Sequence, residues 1–341
     1  MEDYLVLIKS FYKDYSLSFD SNISMDSDFI IADKNIYKLY QNKFTKTPIL
    51  IDAIESNKNI NTSIDICKQL LEKNIKKNSK VLVLGGGITQ DVCGFAMNIL
   101  FRGINWTYVP TTLLAQSDSC IGSKTSLNLD SYKNIIGTFY PPSKIIIDRN
   151  FVKTLDDKDY FSGVGEIVKL HLIGGVSYFK QFNLLIENIL NRDLIELENI
   201  IKNCLSIKKQ FIEQDELDLN KRQILNFGHT FGHAIESETN YEIPHGIAVI
   251  FGMIIANKVS SKIGLLSNDT TKDIHEVLSK IIQSAGFSPY LLKDLNKMNL
   301  LEKTKKDKKN ADASTINMIL MDNLFTFEKM PISLKELEQI I

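Results

Sequence analysis

Five short runs rich in β-branched residues, at 28–32, 49–52, 81–84, 106–109 and 144–148, punctuate the first 150 residues. Helical patterns such as 63–74 and 91–100 separate several of them. A chain that alternates strand and helix in this way folds as a mostly parallel sheet covered by helices. From about residue 157 a helical period takes over, at 160–172, 193–213, 223–238, 246–263 and 272–285. The expectation is α/β plus α: a Rossmann-like α/β domain over residues 1–156, then a mainly α-helical domain over 157–341. No low-complexity linker separates them, so tight packing around a cleft is expected. Near the end, 315–321 and 325–327 flank Asp322-Asn323 as a hairpin, and Ser333 with Glu336 forms a capping box for a terminal helix.

Composition excludes several classes. With 40 basic and 41 acidic residues the net charge is −1, which offers no surface for nucleic acid, and the lysine-rich tract 303–309 reads as a solvated helix end. Cys67, Cys93, Cys120 and Cys204 are far apart with no CxxC, as in a reducing compartment without thiolate zinc. No apolar run reaches the roughly 18 residues of a membrane helix, and the acidic N-terminus lacks a basic leader. A cytoplasmic protein with no membrane partner is expected.

Five histidines occur, and three of them, His229, His233 and His245, fall within seventeen positions in Asn226-Phe-Gly-His-Thr-Phe-Gly-His233 and beyond. On a helix His229 and His233 share one face, so one imidazole can bind a divalent metal while the other faces an adjacent pocket. Thr230 stands where a zinc protease carries its general base, which argues against peptide hydrolysis. Taken alone, the pair equally suits packing of a glycine-flanked helix.

The run Val81–Leu84 enters Gly85-Gly86-Gly87 and then a helix opening near Asp91, a turn that lets backbone N–H groups approach a pyrophosphate. The glycines are consecutive and do not spell GxGxxG, so the turn by itself shows only a tight strand-to-helix connection. Asp33 and Asn35 follow one strand while Glu55 and Lys58 follow the next, and in a parallel sheet such ends share an edge where carboxylates accept from ribose hydroxyls. Between Arg102 and Gly137 lie Pro110-Thr111-Thr112, Asp118, Gly122-Ser123-Lys124 and Lys133-Asn134, read as glycine-rich loops. Glu166 and Lys169 fall on one helical face at i, i+3, a spacing that also describes an ordinary surface ion pair of little worth.

In this order, from about residue 28 to 309, these blocks resemble the 3-dehydroquinate synthases of the sugar phosphate cyclase superfamily. The resemblance implies an NAD-binding domain, a helical metal-binding domain, an active site between them and a homodimer. It implies a metal, Zn2+ or Co2+, on Glu166, His229 and His245. NAD would meet Asp33, Asn35, Glu55, Lys58, Gly86, Gly87, Asp91, Thr111, Thr112, Lys133 and Thr154. Substrate would meet Asp118, Lys124, Asn134, Lys169, Lys208, Arg222, Asn226, His233 and the Lys308-Lys309 pair, with Arg102 reaching in from the partner subunit. Lys124, Lys169, Asn226 and His233 stand nearest the chemistry.

The implied substrate, 3-deoxy-D-arabino-heptulosonate 7-phosphate, is a small sugar phosphate with a carboxylate. Lys124, Lys169, Lys208 and Arg222 supply the cations it needs, Arg222 being able to grip a carboxylate bidentately. The implied reaction oxidises one hydroxyl transiently with NAD, eliminates phosphate, reduces the ketone back and closes the ring by an aldol step. NAD is therefore catalytic.

The chain departs from the usual family pattern at Gln90, where a glycine precedes Asp91, and at Ser123, within Gly-Gly-Lys. Asp156 replaces a proline and Ile247 a glutamate. These departures leave open a paralogue acting on a related or amino-substituted sugar phosphate, although Lys208, Arg222 and Asn226 favour a carboxylate substrate. The glycerol-dehydrogenase-like alcohol dehydrogenases share the plan but need no phosphate-directed lysines. A catalytically inert binding protein is the third reading, opposed by the full set of metal-ligand candidates. His171 and His275 are expected to pack, not to react.

Overall fold

The computed structural model describes residues 5–130, 132–305 and 314–340. The chain divides into two compact units, one of residues 1–155 with 209–217, the other of 156–208 with 218–341.

The first unit is built on strands β1 (Leu5–Ile8), β2 (Tyr15–Phe19), β3 (Phe29–Asp33), β4 (Ile49–Ile51), β5 (Val81–Gly85), β6 (Trp106–Pro110) and, after a hairpin, β9 (Lys144–Ile147). They form one sheet in the order β1-β2-β9-β6-β5-β3-β4, parallel except for the β1–β2 pair. Every residue of β5 is buried, as a central strand covered on both faces must be. Helices α1 (Lys34–Tyr40), α2 (Ile60–Glu72) and α3 (Gly87–Ile99) occupy the connections. Leu82, Leu84, Ile30, Ala32, Val109 and Phe151 form a core cluster with Ile36 of α1. Strand order reverses between β3 and β5, and the C-terminal ends of those two strands, at Asp33 and Gly85, flank the point where such sheets receive ligands.

Three features depart from expectation here. Strands β1 and β2 went unread, although Tyr15 and Leu17 alternate inward. α3 opens at Gly87, not near Asp91, because Gly86 already serves as its N-cap in extended conformation. The supposed glycine-rich loops contain an antiparallel hairpin, β7 (Lys124–Leu129) and β8 (Tyr132–Phe139). β8 is largely exposed and its apolar residues, Tyr132, Ile135, Ile136 and Phe139, do not alternate with polar ones, so it carries no period of two for sequence to reveal.

The second unit contains α4 (Asp157–Ile173), α5 (Val176–Leu184), α6 (Ile186–Leu190), most of α7 (Leu194–Gln214), α8 (His229–Glu238), α9 (His245–Lys262), α10 (Asn268–Ser284), α11 (Lys297–Lys305) and α12 (Leu334–Ile340). α9 is buried almost along its whole length, as its all-round apolar sequence requires. α4 and α8 both pack on α9. The helix expected over 223–238 is interrupted: a 3-10 turn spans Lys221–Asn226, and Gly228 at φ +78 starts α8 afresh. A Cβ at Gly228 would sit 2.6 Å from the Val249 carbonyl oxygen, so glycine is required there for both dihedral and space. The terminal hairpin pairs β10 (Thr315–Met321) with β11 (Phe327–Ser333), four residues beyond the turn where the second strand was expected to lie at 325–327. Its turn is tied by Asp322, whose carboxylate accepts from Leu324 N and Thr326 N. The capping box is present, with Ser333 Oγ 2.6 Å from the Glu336 carboxylate and Glu336 N 3.3 Å from Ser333 Oγ.

No helix among the described residues is long and apolar enough to cross a membrane. All four cysteines are free and buried.

Candidate active site

In the helical unit, glycines set the distances. A Cβ on Gly165 of α4 would meet the Gly246 carbonyl oxygen at 2.2 Å, and one on Gly246 of α9 would meet the Ser162 carbonyl oxygen at 1.9 Å. α4 and α9 therefore touch backbone to backbone at the residues beside Glu166 and His245. A Cβ on Gly252 would likewise lie 1.9 Å from the Gly228 carbonyl oxygen, which draws the start of α8 onto α9. His229 and His245 are each the first residue of a helix, and both rings converge on the buried carboxylate of Glu166.

His245 Nε2 lies 3.2 Å and His229 Nε2 3.6 Å from the same oxygen, Glu166 Oε1. The ligand atoms of Glu166, His229 and His245 all fall within 4.8 Å of one another. Each ring's other nitrogen is already fixed. His229 Nδ1 donates to the Phe227 carbonyl at 3.2 Å, and His245 Nδ1 to Glu236 Oε2 at 3.0 Å. A carbonyl or carboxylate can only accept, so both Nδ1 atoms carry a proton and both Nε2 atoms are turned toward Glu166. This is how metal-binding imidazoles are oriented. One carboxylate oxygen and two imidazole nitrogens make a donor set suited to zinc or cobalt, with positions left for substrate oxygens.

The electrostatics suit that role. Burial, helped by Lys169, His245 and His233, holds His229 well below the usual imidazole range, so it is neutral and able to ligate. Burial disfavours the charged form of His245 too, but hydrogen bonds and charge from Glu166 and Glu236 prevail and push it up to about 10. A cation at Nε2 competes for that proton, which couples metal binding to proton release.

Glu166 and Lys169 form an ion pair with side chains only 2% and 3% exposed, so the surface reading of this i, i+3 spacing does not hold. A buried pair is retained at a desolvation cost and orients both groups. Lys208 on α7 and Arg222 on the 3-10 turn are also buried, while Asn226 ends that turn with its amide donating to the Gln223 carbonyl at 3.0 Å. His233 is exposed one turn after His229, its ring centroid 5.4 Å from His229 and 5.9 Å from His245. Glu236 went unread, although His229, His233 and Glu236 lie on one helical face at i, i+4, i+7; the structure also groups it with His233 and His245 as a second potential chelate.

In the sheet unit, Lys58 Nζ lies 2.7 Å from Asp91 Oδ2 and 2.7 Å from Asn134 Oδ1. Asp91 accepts from Ser126 N and Oγ at 2.9 and 3.0 Å, and its desolvation raises its pKa above the ordinary carboxylate value despite Lys58. Glu55 accepts from Asn128 at 2.9 Å and lies 3.6 Å from Lys133 Nζ. Glu55, Lys58, Asp91, Lys133 and Asn134 thus form one connected network binding α3 to the β7–β8 hairpin. Asp33 caps α1, its carboxylate accepting from Asn35 N at 2.7 Å, and burial raises its pKa. Gly86 lies against Thr112, whose methyl would be 2.8 Å from an added Cβ, and Thr111 is buried beside it. Thr154 is apart from these groups, bonded to the Tyr40 hydroxyl at 2.9 Å. Asp118 sits in a π-helical turn, Ala115–Ser119, and Lys124 and Arg102 are exposed. Lys308 and Lys309 lie outside the described residues.

Residues 48–162 match the family model described as 3-dehydroquinate synthase N-terminal, and 163–310 match that described as 3-dehydroquinate synthase C-terminal. The chain belongs to the 3-dehydroquinate synthase family. The 3-dehydroquinate synthase of Alkaliphilus metalliredigens is 37% identical over 84% of this chain and 81% of its own length. That of Thermoanaerobacter pseudethanolicus is 35% identical over 94% and 91%. Among solved folds, 2-deoxy-scyllo-inosose synthase, seen with carbaglucose-6-phosphate, NAD+ and Co2+, superposes with TM-score 0.80 at 22% identity, covering 98% of each chain. The 2-epi-5-epi-valiolone synthase of Streptomyces hygroscopicus subsp. jinggangensis 5008, with NAD+ and Zn2+, gives 0.81 at 22% identity over 96% and 95%. The glycerol dehydrogenase of Schizosaccharomyces pombe is more distant, with TM-score 0.58 at 14% identity over 83% of this chain and 77% of its own. The family-model matches and the curated relatives do not favour the dehydrogenase alternative.

Proposed function

We propose that this chain is a 3-dehydroquinate synthase, a phosphate-eliminating cyclase of the shikimate route to aromatic amino acids. Its substrate is 3-deoxy-D-arabino-heptulosonate 7-phosphate and its products are 3-dehydroquinate and phosphate. The observation that carries this reading is the Glu166–His229–His245 donor set with Lys169, Lys208 and Arg222 buried in the same helical unit. Buried cations in that number suit a substrate bearing both phosphate and carboxylate.

In this reading residues 1–156 hold NAD, through Asp33, Asn35, Glu55, Lys58, Gly86, Gly87, Asp91, Thr111, Thr112, Lys133 and Thr154. Residues 157–341 hold the metal, zinc or cobalt, on Glu166, His229 and His245. NAD bound there would supply a reversible hydride acceptor, and a divalent cation on those three residues would acidify the hydroxyl to be oxidised. Lys169, paired with Glu166, binds an anionic group of the substrate. Arg222 takes the carboxylate in a two-pronged grip while Lys208, Asn226, Lys124, Asp118 and Asn134 fix the sugar hydroxyls and phosphate. His233, exposed beside the ligand histidines, is placed to exchange a proton with the leaving phosphate or the ring oxygen. Most of the catalytic effect then lies in orientation and charge stabilisation. Arg102 of the partner subunit completes the anion site in a cytoplasmic homodimer, and Lys308 or Lys309 adds a further cation.

The test is substrate choice. Purified protein with zinc and NAD is offered the heptulosonate phosphate and, separately, a hexose phosphate without a carboxylate, and products are identified by NMR. 3-Dehydroquinate from the first with no turnover of the second is expected; the reverse selects the paralogue reading.

A further inference from the structure

We propose that Gln90 and Ser123 are positioning residues that hold the turn between Asp118 and Lys124 in its binding shape before substrate arrives; the proposal rests on the substrate roles assigned to that pair. The turn has little regular structure of its own. Asp118 lies in a single π-helical turn closed by Cys120 N on the Ala115 carbonyl at 3.1 Å, and single π turns are intrinsically poor at holding their shape. Backbone bonds from Lys124 N to the Gly122 carbonyl at 2.8 Å and from Tyr140 N to the Ser123 carbonyl at 2.6 Å tie its far end, and side chains add to them.

At one end Gln90 of α3, buried, donates from Nε2 to the Ser119 carbonyl at 2.8 Å and accepts at Oε1 from the Ser119 hydroxyl at 2.9 Å. Both halves of one amide are thus spent on the residue next to Asp118. At the other end Ser123, at φ +63, carries a side chain in a left-handed conformation that glycine would adopt more cheaply. Its hydroxyl donates to the Glu216 carboxylate, which also accepts from Ser10 Oγ at 2.8 Å and Phe11 N at 2.5 Å. The next residue is Lys124. Gln90 and Ser123 each make a side-chain bond that a glycine in the same position could not make.

A turn ordered in advance does not have to be ordered at substrate binding, so the staples act on substrate affinity. Gln90→Ala in the NAD- and metal-loaded enzyme is expected to raise the KM for the heptulosonate phosphate about tenfold, the size of two lost neutral hydrogen bonds, with NAD affinity within about twofold of wild type. Ser119→Ala, which removes only one of the two bonds, gives about a threefold rise, and the double variant is no worse than Gln90→Ala because Gln90 acts through Ser119. Ser123→Gly raises KM about fivefold. In the substrate-free protein, amide exchange in a peptide spanning 115–124 quickens in all four. An unchanged KM in Gln90→Ala, additive effects in the double variant, an equal loss of NAD affinity or unaltered exchange overturns the proposal. A wild type that turns over no heptulosonate phosphate refutes the functional reading instead, and the exchange measurement still decides whether the staples exist.

Discussion

Gly165→Ala tests whether backbone contact between α4 and α9 builds the metal site. A Cβ there lies 2.2 Å from the Gly246 carbonyl oxygen, where ordinary contact begins at 3.4 Å, so the two helices must part by about 1 Å. The obstruction is backbone and has no rotamer to yield. Glu166 follows directly on α4 and His245 opens α9, so parting the helices stretches the 3.2 Å approach of His245 Nε2 to Glu166 Oε1. Metal–ligand distances tolerate about 0.2 Å, well under that displacement. Overpacking of this kind costs about 1–3 kcal/mol of stability, and loss of one ligand's alignment is expected to weaken zinc binding at least about 100-fold. No ligand or charge is removed. Zinc affinity is read by competition with a chromophoric chelator, beside thermal melts followed by circular dichroism. Gly174→Ala is the control, because its Cβ meets side chains alone, Ile207 Cδ1 at 2.6 Å and Tyr178 Cδ2 at 2.9 Å, and no backbone. A folded Gly165→Ala with wild-type zinc affinity refutes the reasoning.

The remaining predictions concern single side chains. Glu236→Gln removes the negative acceptor of His245 Nδ1–H, and zinc affinity in the same competition assay is expected to fall about 10–100-fold with the fold intact. Arg222→Lys keeps the charge but loses the planar fork, so the KM for the heptulosonate phosphate rises about tenfold or more, while equal kinetics in both enzymes contradicts the carboxylate role. Burial holds the His171 imidazole down at about 4 against 6.5 for the ordinary group, outweighing its bond to the Ile167 carbonyl. The unfolded chain then takes up a proton that the folded chain refuses. Stability is full above pH 6.5 and falls as the pH drops from 6.5 towards 4, by up to about 3 kcal/mol. His171→Leu flattens that slope in urea melts, and an unchanged slope assigns it to other groups.

The parallel sheet was legible because the short β-branched runs of β3, β4, β5, β6 and β9 alternate with helical patterns, and β5 is apolar and buried throughout. β7 and β8 were not, since one face of that hairpin meets solvent and its partners, Asp91 and Lys58, come from α3 and from the segment before α2. The histidine spacing brought His229 and His233 forward as candidates and the family resemblance named Glu166, His229 and His245, but neither showed the kink at Gly228. Inside a periodic pattern a glycine reads as tolerated, and only the nearness of Val249 and Met253 makes it obligatory. For Glu166 and Lys169 the i, i+3 spacing is the same on an exposed and a buried face, so burial had to come from the packing of α4 on α9. Glu236 was within reach of sequence reasoning, three residues after His233 on the same face.

Phosphate release with sub-stoichiometric NAD decides between a cyclase and its rivals. With zinc, 3-deoxy-D-arabino-heptulosonate 7-phosphate and NAD at a small fraction of the substrate, many phosphates are expected per NAD with no lasting rise in NADH absorbance. Phosphate that stops at one per NAD, NADH that accumulates with a simple alcohol, or no release from folded and zinc-loaded protein contradicts the 3-dehydroquinate synthase reading.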